Sequence, residues 1–239
     1  MTQTLKKHPI EHLHDSKHWY LKQIKVFAEL SEEDKKELRE ISHMTSYRKH
    51  EPICFPGQPA DTVYLLKQGR VKISRVNDKG QEATICLLEP GEIFGEVEAL
   101  VGITRETLVQ ALESVLVCEI TRENFERFLD RCPTVGIRIL KTVGGRLRQV
   151  ESKFSDLVFH SAPARLAKLL LQLGKSMGKR DQDTIRINVR LTHQNLANLI
   201  GTSRETVSAL LGQFQRQGLL IQDRRQICLV DTDKLANIQ

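Results

Sequence analysis

Residues 191–218 read LTHQNLANLIGTSRETVSALLGQFQRQG, and this run carries side chains suited to the edges of base pairs. Arg204, Glu205, Ser208 and Ala209 follow one another in steps of one, three and one, which puts them on one face of a helix. An arginine fork matches O6 and N7 of guanine, a glutamate accepts from the cytosine amino group, and an alanine methyl can meet that of thymine. One good bidentate pair discriminates between bases by roughly 1–3 kcal/mol. The same Arg204 and Glu205 could equally form a solvated pair on an ordinary helical hairpin, so the surrounding elements decide between the two.

Those elements form a helix-turn-helix pattern. Thr192 can cap a first helix, on which Leu196, Leu199 and Ile200 share an apolar face. Gly201 suits its C-terminus. Ser203 opens a second helix with Val207, Leu210, Leu211 and Phe214 as its buried stripe, and Gly218 closes it. A second helix after a tight turn can enter a major groove with its first residues against base edges, so Thr192, Thr202 and Ser203 join the candidate DNA contacts. An apolar helix is expected at 164–173, a strand at 184–189 and a hairpin at 219–230 around Asp223-Arg224-Arg225, which together make a winged helix. Arg224 and Arg225 at the wing tip are candidate phosphate contacts or simply a solvated turn.

Composition supports a soluble globular protein with nucleic acid as a partner. The 239 residues are 40% hydrophobic and 28% charged, a size that suits two modest domains. Residues 1–159 hold 24 basic and 24 acidic side chains, leaving 12 and 6 for residues 160–239, so the whole surplus of +6 lies in the last third. A neutral body joined to a basic module favours phosphate contacts and counterion release. Neither a leader nor a membrane-length apolar run is present, which implies a cytoplasmic location.

Catalytic and metal chemistry find little support. Cys54, Cys86, Cys118, Cys132 and Cys228 are scattered without a C-x-x-C pair and read as small core residues. His8, His12, His14 and His18 make two i,i+4 pairs that could face a metal or haem iron, but Pro9 interrupts the first and nothing completes a site. No histidine lies between His50 and His160, which argues against a cupin-like metal enzyme. No phosphate-cradling G-x-x-x-x-G-K-[ST] loop, G-x-S-x-G elbow or Cys/His nucleophile pattern occurs. No catalytic residue and no metal ligand is therefore assigned.

Ahead of the basic module, short alternating runs such as 63–66, 70–76 and 82–88, with Asn77-Asp78-Lys79-Gly80 as a turn, predict an antiparallel β-roll between Tyr47 and Ile120. A helix starting at Ser31 and running to about His43 precedes it. After Pro133 a long helix is expected over about 134–159, where Leu140, Val143, Leu147, Val150, Phe154 and Leu157 alternate steps of three and four. That pattern is a coiled-coil seam for dimerisation, or one helix packed on its own roll. Ser161-Ala162-Pro163 marks a break suited to a hinge.

Gly91-Glu92-Ile93-Phe94-Gly95-Glu96, a short apolar helix over 97–101 and Arg105 together resemble the phosphate-binding cassette of cyclic-nucleotide-binding domains. With Gly69 in YLLKQGRVKI, the long helix and SRETVSALL, the chain from about Phe27 to Asp231 resembles the CRP/FNR family of bacterial transcription regulators. The resemblance implies an α+β chain: an N-terminal extension over 1–26, a jelly-roll sensor over 27–133, a dimerisation helix over 134–160 and a winged helix-turn-helix over 161–239. It also implies a homodimer on double-stranded DNA with two half-sites about 34–36 Å apart, RNA polymerase as a further partner of an activator, and a small-molecule effector.

In relatives that bind cyclic AMP, a cassette Glu meets the ribose and a cassette Arg the phosphate, which assigns Gly95, Glu96 and Arg105 here. Thr107 is a further candidate donor to a phosphate. Glu106 stands where a Ser is usual, and a like charge about 4 Å from a phosphate costs on the order of 4 kcal/mol at an effective dielectric of about 20. The adenine-contacting hydroxyls of the family fall at Val150 and Glu151, and a valine cannot bond a base edge. Cyclic AMP is therefore not expected as the effector. A different small ligand, a haem, a thiol switch or a dimer competent without effector all stay open, as does a coiled-coil adaptor that never meets DNA.

Overall fold

A computed structural model of the chain describes residues 25–27, 29–181, 184–223 and 226–238. The four N-terminal histidines and the wing-tip Arg224 and Arg225 lie outside these. The chain divides after Arg146 into two compact units.

In the first unit, helix α1 (Glu32–Glu40) starts where Ser31 accepts a hydrogen bond from the Asp34 amide at 3.1 Å, with three acidic residues in the first turn to meet the dipole. It ends before the expected His43, because Ser42 already opens strand β1 (Ser42–Tyr47). Seven further strands follow: β2 (Pro52–Cys54), β3 (Thr62–Gln68), β4 (Val71–Val76), β5 (Glu82–Leu88), β6 (Ile93–Phe94), β7 (Leu108–Ala111) and β8 (Val115–Thr121). They make two antiparallel sheets, ordered β1-β8-β3-β6 and β2-β7-β4-β5. Residues from both sheets, including Tyr47, Leu66, Val71, Phe94, Val109 and Val117, form one core. Between β6 and β7 runs helix α2 (Glu96–Val101), and after β8 comes helix α3 (Arg122–Arg131), capped by Thr121.

A second core joins the roll to its helices. Phe27, Leu38, Leu65, Phe125, Phe128 and Val135 belong to it, and the rings of Phe27 and Phe128 meet edge to face at 6.2 Å. Helix α4 (Pro133–Phe159) supplies Val135 and Ile139 to this core, and Val143 packs on it as well. Val143 thus departs from the expected seam: the turn it occupies faces its own roll. Leu140, Leu147 and Phe154 are exposed at 70, 57 and 68%, and Ile137 and Val158 extend that uncovered stripe.

In the second unit, helix α5 (Ala162–Met177) begins at the Ser161 cap with Pro163 in its first turn, longer than the sequence indicates. A sheet ordered β11-β12-β10-β9 combines β9 (Gly178–Asp181), β10 (Thr184–Ile187), β11 (Leu220–Asp223) and β12 (Gln226–Leu229). Helices α5 and α7 (Arg204–Arg216) pack on this sheet, α6 (His193–Ile200) packs against those two helices, and α8 (Thr232–Ala236) ends the described chain. The α6–α7 corner depends on Gly201, whose φ is +64°. A Cβ there would also stand 2.8 Å from Leu157 Cδ2, so Leu157, expected in the seam, faces this corner. Arg165 donates to the carbonyls of Ile200 and His160 at 2.9 Å each, and Lys168 meets Asp156 at 2.6 Å, tying the end of α4 to the helix-turn-helix.

Candidate nucleic-acid interface and effector cassette

Thr192 and Asn195 form a reciprocal capping box at the start of α6, and Ser203 accepts from the Thr206 amide at 3.1 Å to start α7. Val207, Leu210, Leu211 and Phe214 are buried beneath α7, which leaves Arg204, Glu205, Ser208 and Ala209 exposed on its opposite face. This is the face drawn from the sequence. Thr192 and Ser203 are exposed and Thr202 half-buried at the corner.

Two further features emerge only in three dimensions. A cleft of about 560 Å³ opens between the starts of α6 and α7 and the wing strands, lined by Thr192, His193, Gln194, Arg204, Gln222 and Gln226. His193 Nδ1 lies 2.7 Å from Ser208 Oγ, and that hydroxyl also reaches the Arg204 carbonyl at 3.0 Å. Ser208 is therefore not the free hydroxyl that periodicity alone suggests. His193 could have been found from its place directly after the capping threonine.

The cassette is closed by the protein's own groups. Gly95, at φ +74°, leaves no room for a side chain, since a Cβ would come within 2.7 Å of Arg105 Nη1. Arg105 is buried; it donates to the Gly95 carbonyl at 2.8 Å and to the Thr62 carbonyl, and stands over the Tyr64 ring at 5.7 Å. Glu98 lies 3.7 Å from the same guanidinium and accepts from Thr107 Oγ1 at 3.3 Å. Glu96 is 1% exposed, and its carboxylate is met by Arg146 Nη1 at 2.9 Å. Burial pushes the Glu96 carboxyl above the ordinary carboxylate range, against the pull of Arg146.

Glu106 needs correcting: it turns outward and pairs with Arg75, both half exposed, so it is not the charge that opposes a phosphate. The carboxylate beside the Arg105 guanidinium is that of Glu98, at 3.7 Å. The neighbours along the chain part ways here: Arg105 is buried, whereas Glu106 beside it is exposed. A cavity of about 320 Å³ borders Arg105 on the side of Tyr47, Cys54, Gln58, Asp61 and Tyr64, and Glu96, Glu106 and Thr107 do not line it. Burial raises the Cys54 thiol to about 11. Val150 and Glu151 are exposed on the part of α4 in the second unit.

The Arg105 guanidinium is thus engaged by two carbonyls and a carboxylate, and the Glu96 carboxylate by Arg146, so neither group presents a free charge to an anionic ligand. Among the described residues no group of three or more His, Cys, Asp or Glu could hold a metal ion, and no helix is long and apolar enough to cross a membrane.

Comparison with known proteins agrees with both halves. A model of the cyclic nucleotide-binding domain matches residues 44–132, and one of the Crp-like helix-turn-helix domain matches residues 164–238. The chain is 28% identical over 194 residues to the CRP-like cAMP-activated global transcriptional regulator of Mycobacterium tuberculosis, across 78% of this chain and 87% of that one. It is 32% identical over 183 residues to the global nitrogen regulator of Synechococcus elongatus, across 76% and 82%. The structure of the c-di-GMP responsive global regulator CLP of Xanthomonas campestris superposes with a TM-score of 0.73 at 25% identity, across 83% of this chain and 99% of that one. With a cyclic-nucleotide-type roll, a long helix, an exposed recognition face and these relatives, the chain belongs to the CRP/FNR family of transcription regulators.

Proposed function

We propose that this chain acts as a cytoplasmic, non-enzymatic homodimer that reads a pseudo-palindromic DNA site with Arg204 and Glu205, under a β-roll whose signal is not cyclic AMP. The observation that carries it is the recognition face of α7: Arg204, Glu205 and Ala209 stand free while the opposite side of the helix is buried. Arg204 and Glu205 address one G·C pair per half-site, and Ala209 gives a looser, methyl-only contact. The cleft amides Gln194, Gln222 and Gln226, the start of α6 and the wing arginines Arg224 and Arg225 supply backbone contacts.

The roll over 27–133 serves as the sensor, the helix over 134–160 as the dimer element and 161–239 as the reader. Leu140, Leu147, Val150 and Phe154 support dimerisation, because so much exposed apolar surface along one helix calls for a partner helix. Arg105 and Glu96 are already matched by Gly95, Thr62, Glu98 and Arg146, which supports a cassette set without a cyclic nucleotide. RNA polymerase is a partner if the protein activates.

Selection from random duplexes, with and without cyclic AMP, tests this. The expected motif is a two-fold repeat one helical turn apart, unchanged by the nucleotide. Arg204→Ala should erase preference at one guanine per half-site and cost about 1–3 kcal/mol. Recovery of the same motif by the variant would refute the base assignment.

A further inference from the structure

The contact between His193 and Ser208 bears on what the recognition helix can read. Ser208 sits one turn beyond Arg204 on the exposed face of α7, where a serine hydroxyl would ordinarily be free to donate or accept. Here its oxygen lies 3.0 Å from the Arg204 carbonyl and 2.7 Å from Nδ1 of His193, the first residue of α6. A hydroxyl has one proton, and both neighbours constrain where it goes.

Either arrangement leads to the same result. If Nδ1 carries a proton, it donates to Ser208 Oγ, and the serine proton goes to the Arg204 carbonyl, which can only accept. If Nδ1 is bare, it accepts the serine proton itself. A doubly protonated ring behaves like the first case. In each, the serine proton points into the protein and only lone pairs face outward. The major-groove groups that can satisfy a lone pair are the amino groups of adenine and cytosine, whereas guanine O6 and thymine O4 are themselves acceptors.

We propose that His193 is a positioning residue for base readout, holding Ser208 as an acceptor-only group so that the base facing it is adenine or cytosine. This rests on the reading of α7 as the recognition helix. Without the imidazole, the hydroxyl keeps only the weaker call of the helix carbonyl. It can then rotate to donate to guanine or thymine, and discrimination relaxes at that one position.

The test is sequence selection with the full-length protein and His193→Ala, Ser208→Ala, the double variant and His193→Asn, each with affinities over a salt series. In the wild type, one position per half-site beside the Arg204 guanine should favour adenine or cytosine. His193→Ala should reduce that preference several-fold there and leave the Arg204 position intact. His193→Ala should have no further effect on preference in the Ser208→Ala background, and His193→Asn, which keeps a short hydrogen-bonding side chain, should restore part of it. Two results would overturn the proposal. One is a uniform affinity loss with a shallower salt dependence and unchanged base preference, the mark of a plain phosphate contact. The other is a preference for guanine or thymine at that position in the wild type. A wild-type protein that selects no motif at all would instead remove the DNA-reading function, and this inference with it.

Discussion

Replacing Arg146 with methionine should expose how the cassette is held together. Glu96 is 1% exposed and its carboxylate faces Arg146 at 2.9 Å, and the same guanidinium also reaches the Ile93 carbonyl and, at 3.7 Å, Glu92. Removing one partner of a buried ion pair strands the other, at about 3–5 kcal/mol. The Arg146 side chain is 19% exposed, so water screens part of the pair and the lower end, about 3 kcal/mol, applies. At about 2–4 °C per kcal/mol for a chain of this size, the melting transition of the roll should fall by roughly 6–12 °C at neutral pH.

The pH dependence gives a second, independent readout. Burial already raises the Glu96 pKa, and losing the arginine raises it further. A carboxyl raised in the folded state contributes stability that is full below its unfolded value and lost as pH rises through the folded value. The deficit of Arg146→Met should therefore shrink as pH falls into the acidic range and be largest at neutral pH and above. Glu96→Gln combined with Arg146→Met should recover most of the loss, because the stranded charge is gone. Scanning calorimetry across pH measures all three proteins. A single variant melting within about 2 °C of wild type at neutral pH, or a deficit that does not change with pH, would refute the reasoning.

Cyclic AMP should show no saturable micromolar binding by calorimetric titration, and Glu98→Gln should raise whatever weak affinity exists by removing the carboxylate 3.7 Å from Arg105; tight binding to the wild type would overturn the cassette reading. Gly201→Ala should destabilise the second unit by at least about 1–2 kcal/mol through its left-handed backbone, and further through the 2.8 Å approach to Leu157. Leu157→Ala in that background should restore only the steric part, as read by thermal melting. Cys54, buried and raised to about 11, should resist alkylation at pH 8 in the folded protein and react quickly after denaturation, since the thiolate is the nucleophile; mass spectrometry of the labelled peptide decides this.

What can be read along the chain is what acts over a few residues. The caps at Ser31, Ser161, Thr192 and Ser203 and the stripe Val207, Leu210, Leu211, Phe214 follow from contacts three or four positions apart, and the structure keeps each of them. The roll's hairpin at 77–80 and the helix-turn-helix with its wing are local in the same sense. Periodicity overreached at Val143, because a stripe of period 3.5 does not say which of its members meets the chain's own core. The partners of charged residues were hidden for a different reason. Glu96 and Arg146 are 50 positions apart, Arg105 and Thr62 are 43 apart, and Glu106 meets Arg75 across 31. Which carboxylate faces Arg105 and which faces water depends on how strands and helices stack, and no local propensity encodes that. The amino-acid sequence by itself determined a helix-turn-helix following a cyclic-nucleotide-type roll; only tertiary packing decided that Arg105 and Glu96 are matched from within, and that a histidine on the neighbouring helix meets the Ser208 hydroxyl.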